Sequence, residues 1–261
     1  MYDLAALEAA LAGSSFAGKL HFSMLTGSTN TDALEAARAG APHGSVFFAD
    51  EQRAGRGRGD HGWQSAAGQG LYASVLLRPG LPATRLPLLP LAAGLAAADA
   101  IHAASGLTAD LRWPNDLLIG ERKCGGILAE SKIEGRTVAF AVVGVGINVH
   151  QRSFDTELAT AATSLDTEAG RHISRQELLI ALLKSLEREA LGLQQESAGS
   201  MIAARLEKAS TWLRGRSVDV HGPQACTGVT AGLDEHGFLR IDTADGRVTV
   251  QTGGIRAAKT G

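Results

Sequence analysis

"EQRAGRGRGDHGWQS", residues 51–65, sets four glycines, at 55, 57, 59 and 62, among three arginines, and reaches a tryptophan without showing a helical or strand period. Residues 57–62, "GRGDHG", spell a literal G-x-G-x-x-G, the pattern of dinucleotide-binding and kinase nucleotide loops. The context contradicts both. A dinucleotide fingerprint turns straight into a helix, whereas "WQSAAGQG" follows here, and no H-R-D or D-F-G set appears downstream. Two readings remain: a solvated surface loop, or an anion clasp. In the clasp, Arg56 and Arg58 alternate with Gly55, Gly57 and Gly59, so that backbone N–H groups and guanidinium forks converge on carboxylate or phosphate oxygens.

Outward from this loop, short apolar strands alternate with helical segments. "LHFSML" (20–25), "SVFFAD" (45–50) and "LYASVLL" (71–77) read as strands, with a helix at "TDALEAARAG" (31–40). An Ala/Leu-rich helix follows from about 86 to 105, with Pro87 and Pro90 in its first turn, where a missing N–H does little harm. "LRW" (111–113), a turn at "PND", strands "GILAESKI" (126–133) and "TVAFAVVGVGINV" (137–149), and helices near 174–192 and 199–209 complete a mixed α/β domain. After "TWLRGR" the pattern changes to short strands with Gly-containing turns, which predicts a small appended β-barrel or open sandwich, with the boundary between 210 and 215.

A chain of 261 residues with 44% hydrophobic content can bury a full core. Its net charge of −2 gives no general attraction to nucleic acid or anionic membrane, so any positive charge that matters is local. The start, "MYDLAALEAALAGSSFAGKL", has amphipathic spacing at Leu4, Leu7 and Leu11 but no basic n-region, and no transmembrane run is predicted. Cys124 and Cys226, the only cysteines, are far apart in sequence, which suits a cytoplasmic, reducing setting and excludes a cysteine-based zinc framework. The histidines at 21, 43, 102, 150, 172, 221 and 236 show no metal-ligand spacing.

Further stretches each carry a structural and a functional reading. In "GSTN" (27–30), Thr29 with Asp32 fits an S/T-x-x-D/E helix cap. "RWPNDLL" (112–118) reads as a Pro-Asn-Asp turn between strands. "ERKCGGILAE" (121–130) places Lys123 before a Gly-Gly entry into a strand, where a lysine is ordinarily a solvated edge charge. "GVGINV" (144–149) reads as a strand whose glycines admit a close approach to the backbone.

Taken in order and at these spacings, "STN", "QRAGRGR…W", "RWPNDL", "RKCGGIL" and "GVGINV" resemble the biotin protein ligases, from about residue 23 to the end. The resemblance implies a class II synthetase-like mixed-sheet catalytic domain over 1–212 and a small SH3-like β-barrel over 213–261. It also implies that biotin is activated with ATP and Mg2+ as biotinyl-5'-AMP and passed to a lysine of a biotin carboxyl carrier protein domain. Lys123, Arg58 and Asp116 are then catalytic: Lys123 bridges carboxylate and α-phosphate, Arg58 holds the phosphates, and Asp116 assists Mg2+ or the incoming amine. The biotin site takes Ser28, Thr29, Asn30, Gln52, Gly55, Arg56, Gly57, Arg58, Lys123, Gly144 and Gly146; ATP takes Arg58, Trp63, Asn115, Lys123 and Asn148, with Trp63 stacked on adenine. Only about twenty residues precede the first strand, which resembles the enzyme-only form lacking a DNA-binding domain; a homodimer is left open.

One departure stands out. The family loop continues G-R-G-R-x-G-R-x-W, but Asp60 and His61 stand here where glycine and arginine are usual, which leaves fewer positive charges near the phosphates and implies weaker retention of the intermediate. Two other readings stay open, a lipoate-type ligase of the same fold and a non-catalytic biotin-binding regulator.

Overall fold

The computed structural model describes residues 2–59, 61–155 and 158–258. Strands β1 (Leu20–Thr26), β2 (Val46–Gln52), β3 (Gly70–Leu77), β4 (Asp110–Arg112), β5 (Asp116–Ile119), β6 (Arg122–Glu134) and β7 (Thr137–Asn148) form a seven-stranded sheet in the order β1-β2-β3-β7-β6-β5-β4. The β1–β2 pair is parallel and all the others are antiparallel, so the sheet is mixed. Central β7 reads as a nearly continuous apolar run because both of its faces are covered.

Helices α3 (Leu88–Ser105) and α5 (Arg175–Gly192) pack on one face, burying Leu71, Val75, Val143, Val145 and Ile147. Helix α3 is apolar and long enough to cross a membrane, yet 67% of it is buried inside the fold; it is a core helix, apolar all round because it is enclosed. On the opposite face, α2 (Thr29–Arg38) covers only half the sheet, setting Ala33 and Ala37 on Leu76, Phe140 and Val142. The loop after β2 extends over the other half, and this division positions the site.

Helix α2 begins earlier than the 31–40 expected from sequence, and the Thr29/Asp32 cap does not form. Ser28 is the N-cap, without a side-chain cap bond. Thr29 Oγ1 is engaged by Gln52 and Ser74, while Asp32 accepts from Thr26 Oγ1 at 2.7 Å. Tertiary partners have taken the groups that a local cap would use. Helices α1 (Leu4–Ala10), α4 (Leu165–Ala169) and α6 (Ala198–Ala209), with a 3-10 turn at Ala83–Arg85, complete the helical set of the described residues.

Strands β8 (Arg214–His221), β9 (Cys226–Leu233), β10 (Leu239–Thr243), β11 (Gly246–Val250) and β12 (Gly254–Ala257) form a separate antiparallel sheet in the order β11-β10-β9-β8-β12. Among the described residues no pairing joins β11 to β12, so the open form of the two expected is the one found. The apolar core runs on past residue 212: Trp212, Leu213, Leu233, Leu239 and Ile241 belong to the same buried cluster as α3 and β7.

Candidate active site

The glycine-rich stretch folds back on itself as a hairpin. Trp63 N–H donates to Gly55 O at 2.8 Å, Gly57 N–H to His61 O at 2.7 Å, and bridges form between Gln52 and Ser65 and between Arg56 and Gly62. A Cβ on Gly55 would lie 2.4 Å from Trp63 O, so this turn has no room for a side chain. His61 holds the corner, with Nδ1 3.0 Å from Arg58 O. Asp60, the other departure in the loop, lies outside the described residues.

Beneath the hairpin, β6 and β7 present glycines on one face. A Cβ on Gly146 would fall 2.6 Å from the Trp63 ring, and one on Gly144 would fall 2.0 Å from Asn30 Oδ1. The close approach expected at "GVGINV" is therefore made by the chain's own Trp63 and Asn30. Asn30 is fixed by Ser74 Oγ at 2.6 Å and Glu130 Oε2 at 2.9 Å. Gln52 accepts from Thr29 N–H at 2.8 Å and donates to Ser65 Oγ at 2.8 Å. Ser28, Thr29 and Asn30 are all buried, so they form a polar wall in a largely apolar setting.

The cations are all engaged. Lys123 Nζ lies 2.5 Å from Asp116 Oδ1 and 5.6 Å from the centre of the Trp63 ring. The other Asp116 oxygen receives Arg112 Nη2 at 2.6 Å. Burial alone would raise the Asp116 pKa, but Lys123 and Arg112 outweigh it and hold the carboxyl below the usual carboxylate range. Arg58 donates to Asn115 Oδ1 at 3.2 Å and Gly253 O at 2.8 Å, and its pKa is lowered by burial. Arg56 pairs in bidentate fashion with Glu130, at 3.1 and 2.6 Å.

Beside Arg58 lies a cleft of about 150 Å³, open at its mouth, lined by Asn115, Ile127, Trp113 and Phe238 among others. Trp113 Nε1 donates to Gly237 O at 3.0 Å, which fastens the "WPND" turn to the C-terminal sheet.

The Biotin/lipoate A/B protein ligase family profile matches residues 22–148. Over 88% of its length the chain is 35% identical to the biotin acetyl-CoA-carboxylase ligase of Mycobacterium tuberculosis, covering 85% of that protein. The chain belongs to the biotin protein ligase family. Over 84% of its length it is also 35% identical to the bifunctional ligase/repressor BirA of Bacillus spizizenii, covering 68% of that relative. The biotin protein ligase of Aquifex aeolicus, solved in complex with biotin and ATP, superimposes with a TM-score of 0.78 at 29% identity, covering 92% of this chain and 98% of that one.

In this ligase-family chain, the sequence-derived residues Thr29, Asn30, Gln52, Gly55, Trp63, Gly144 and Gly146 meet under one hairpin, with Lys123 and Asp116 at its edge. Asn148 differs: its side chain donates to Thr163 O at 3.1 Å and accepts from Gln151 rather than from another of the candidates. Both oxygens of Asp116, the residue expected to assist Mg2+ or the incoming amine, face cations here. Sequence reasoning missed Glu130, Arg112 and Ser74. Glu130 was within reach, because it follows Gly126 at the two-residue period of β6 and so shares that face.

Proposed function

We propose that the chain activates biotin with ATP as biotinyl-5'-AMP and transfers the biotinyl group to a lysine of a carboxyl carrier domain. Family membership and the convergence of Lys123, Arg58 and Arg56 around one hairpin support this reading; the single observation that carries it is Lys123, held between Asp116 and the Trp63 ring. In the first step a biotin carboxylate oxygen attacks the α-phosphorus of ATP and pyrophosphate leaves. Two anions must meet there, and a fixed ammonium offsets their repulsion as charge develops. In the second step the carrier lysine amine attacks the acyl carbon, AMP leaves with the bonding pair, and the amine gives up a proton.

The ureido group of biotin, one acceptor and two donors, matches the wall of Ser28, Thr29, Asn30 and Gln52. Arg56 is exposed, and its pair with Glu130 is of the kind that contributes little in water, so it can exchange Glu130 for a substrate anion. Arg58 and Asn115 bring the nucleotide to the cleft beside Phe238. Asp116 positions Lys123, and no residue is assigned as a magnesium ligand; Mg2+ belongs to the reading only as the ordinary companion of ATP phosphates. The reading needs neither DNA nor membrane, and sets the reaction in the cytoplasm. Mass spectrometry after incubation with ATP and either biotin or lipoate tests it: biotinyl-5'-AMP and a biotinylated carrier are expected. Lipoyl-5'-AMP alone would favour the lipoate-type reading, and bound biotin without either product would favour a binding regulator.

A further inference from the structure

His150, Asp166 and His172 follow at intervals of 16 and 6 positions and meet beyond the end of β7. His150 Nδ1 is 2.8 Å and His172 Nδ1 3.4 Å from the same oxygen, Asp166 Oδ2. The two imidazoles are stacked, with centroids 4.4 Å apart and planes 13° from parallel, so their in-plane Nδ1 lone pairs run side by side and a shared ion requires one ring, that of the exposed His172, to rotate out of the stack. One available ligand atom from each residue lies within 4.8 Å of the others. In a tetrahedral site with bonds of about 2.1 Å, neighbouring ligand atoms stand about 3.4 Å apart. The His172–Asp166 separation already has that value, and besides the rotation of His172 the His150 ring must move back slightly from the carboxylate.

Asp166 is held both at its carboxylate and at its backbone. Asp166 Oδ1 accepts from Ile173 N–H at 2.8 Å, and the Asp166 N–H donates to Val149 O at 2.9 Å. We propose that His150, Asp166 and His172 form a binding site for one divalent transition ion of the zinc type, with the fourth position open to water on the exposed His172 side. Two imidazole nitrogens and one carboxylate oxygen suit Zn2+, Co2+ or Ni2+ and disfavour Mg2+, which demands oxygen. Binding requires each neutral ring to carry its proton on Nε2 rather than Nδ1, with no net proton lost.

The position gives the ion a structural consequence. The segment between His150 and Asp166 includes Ala161 and Thr163, which pair with the Lys123 backbone: Lys123 N–H donates to Ala161 O at 2.8 Å, and Thr163 N–H to Lys123 O at 2.9 Å. An ion joining His150 to Asp166 and His172 fastens both ends of that segment. The inference does not depend on the ligase reading.

Equilibrium dialysis against Zn2+, and titration with Co2+ followed by its visible absorption, without ATP or biotin, test the site. Wild type is expected to hold one equivalent with the intense spectrum of four-coordinate Co2+. Substituting the exposed ligand, His172→Ala, is expected to weaken binding at least tenfold while leaving circular dichroism unchanged. Zn2+ at a hundredfold excess over its Kd is expected to raise the wild-type Tm by roughly 5 °C, and the variant's by much less. Wild type that retains no Zn2+, or His172→Ala that binds it equally well, would overturn the proposal.

Discussion

Asp116 sits between two cations, and the sign of its pKa shift sets how stability depends on pH. Its folded pKa lies below its unfolded value, because Lys123 and Arg112 overcome the opposing effect of burial. The stabilisation is therefore complete at neutral pH, fades as pH falls below the unfolded value of about 4, and is gone once the folded value is passed. Urea unfolding of wild type and Asp116→Asn is expected to show a wild-type advantage at pH 7 that shrinks below about pH 4; an advantage that persists unchanged at pH 3 would contradict it. A second residue-scale outcome concerns Gly144, whose Cβ would meet an Asn30 already held by Ser74 and Glu130. Gly144→Ala is expected to cost ~1–3 kcal/mol of stability by overpacking, measured by denaturant titration, and to weaken biotin binding in calorimetry. A neutral substitution would show that Asn30 yields. At this scale the sequence made the motif residues legible but not their partners. Arg56 reaches Glu130 74 positions away, and nothing local in "AESK" marks that glutamate as its counter-charge. The His150, Asp166 and His172 cluster was hidden in the same way, since its spacing fits no ligand motif.

The hairpin of residues 52–65 is the element on which the site turns. It has no apolar residue between Ala54 and Trp63, so little core packing offsets the ordering of its backbone, about 1–2 kcal/mol per residue. Hydrogen exchange across residues 54–64 is expected to slow on adding biotin and to slow further with the adenylate, as phosphate contacts for Arg58 are added. Full protection in the free protein, or no gain on adding ligand, would contradict this. The strands and long helices were legible because their periods are strong: α5 starts at Arg175 and ends at Gly192, close to its expected limits. The start of α2 was not, because Thr29 and Asp32 satisfy a capping pattern while spending their hydrogen bonds on Gln52, Ser74 and Thr26. Strand β5 was hidden inside a turn motif, being only four residues long and joined by tight turns to the strands it pairs with on both sides.

Across the whole molecule, a line of contacts runs from the sheet junction to the hairpin. Arg112 faces Trp212 at 5.2 Å and binds Asp116, Asp116 binds Lys123, and Lys123 faces Trp63. The C-terminal unit adds Gly253 O to Arg58 and Phe238 to the cleft, which under the proposed reaction puts it on the nucleotide side. Phe238→Ala is expected to raise the KM for ATP about tenfold, equivalent to ~1.4 kcal/mol of lost apolar burial, and to leave that for biotin nearly unchanged. Equal effects on both substrates would remove the unit from that role. A mixed α/β domain followed by a small β unit was legible from the change in strand length and turn composition near residue 212. That the core crosses this boundary was not, because the same leucines and valines would fill two separate cores equally well. In the proposed reaction Lys123 supplies the charge on which activation of biotin depends. The rate of biotin-dependent pyrophosphate release, compared between wild type and Lys123→Ala with circular dichroism to confirm the fold, is expected to fall by about 10²–10³, and a folded variant that releases pyrophosphate at the wild-type rate would remove Lys123 from the activation step.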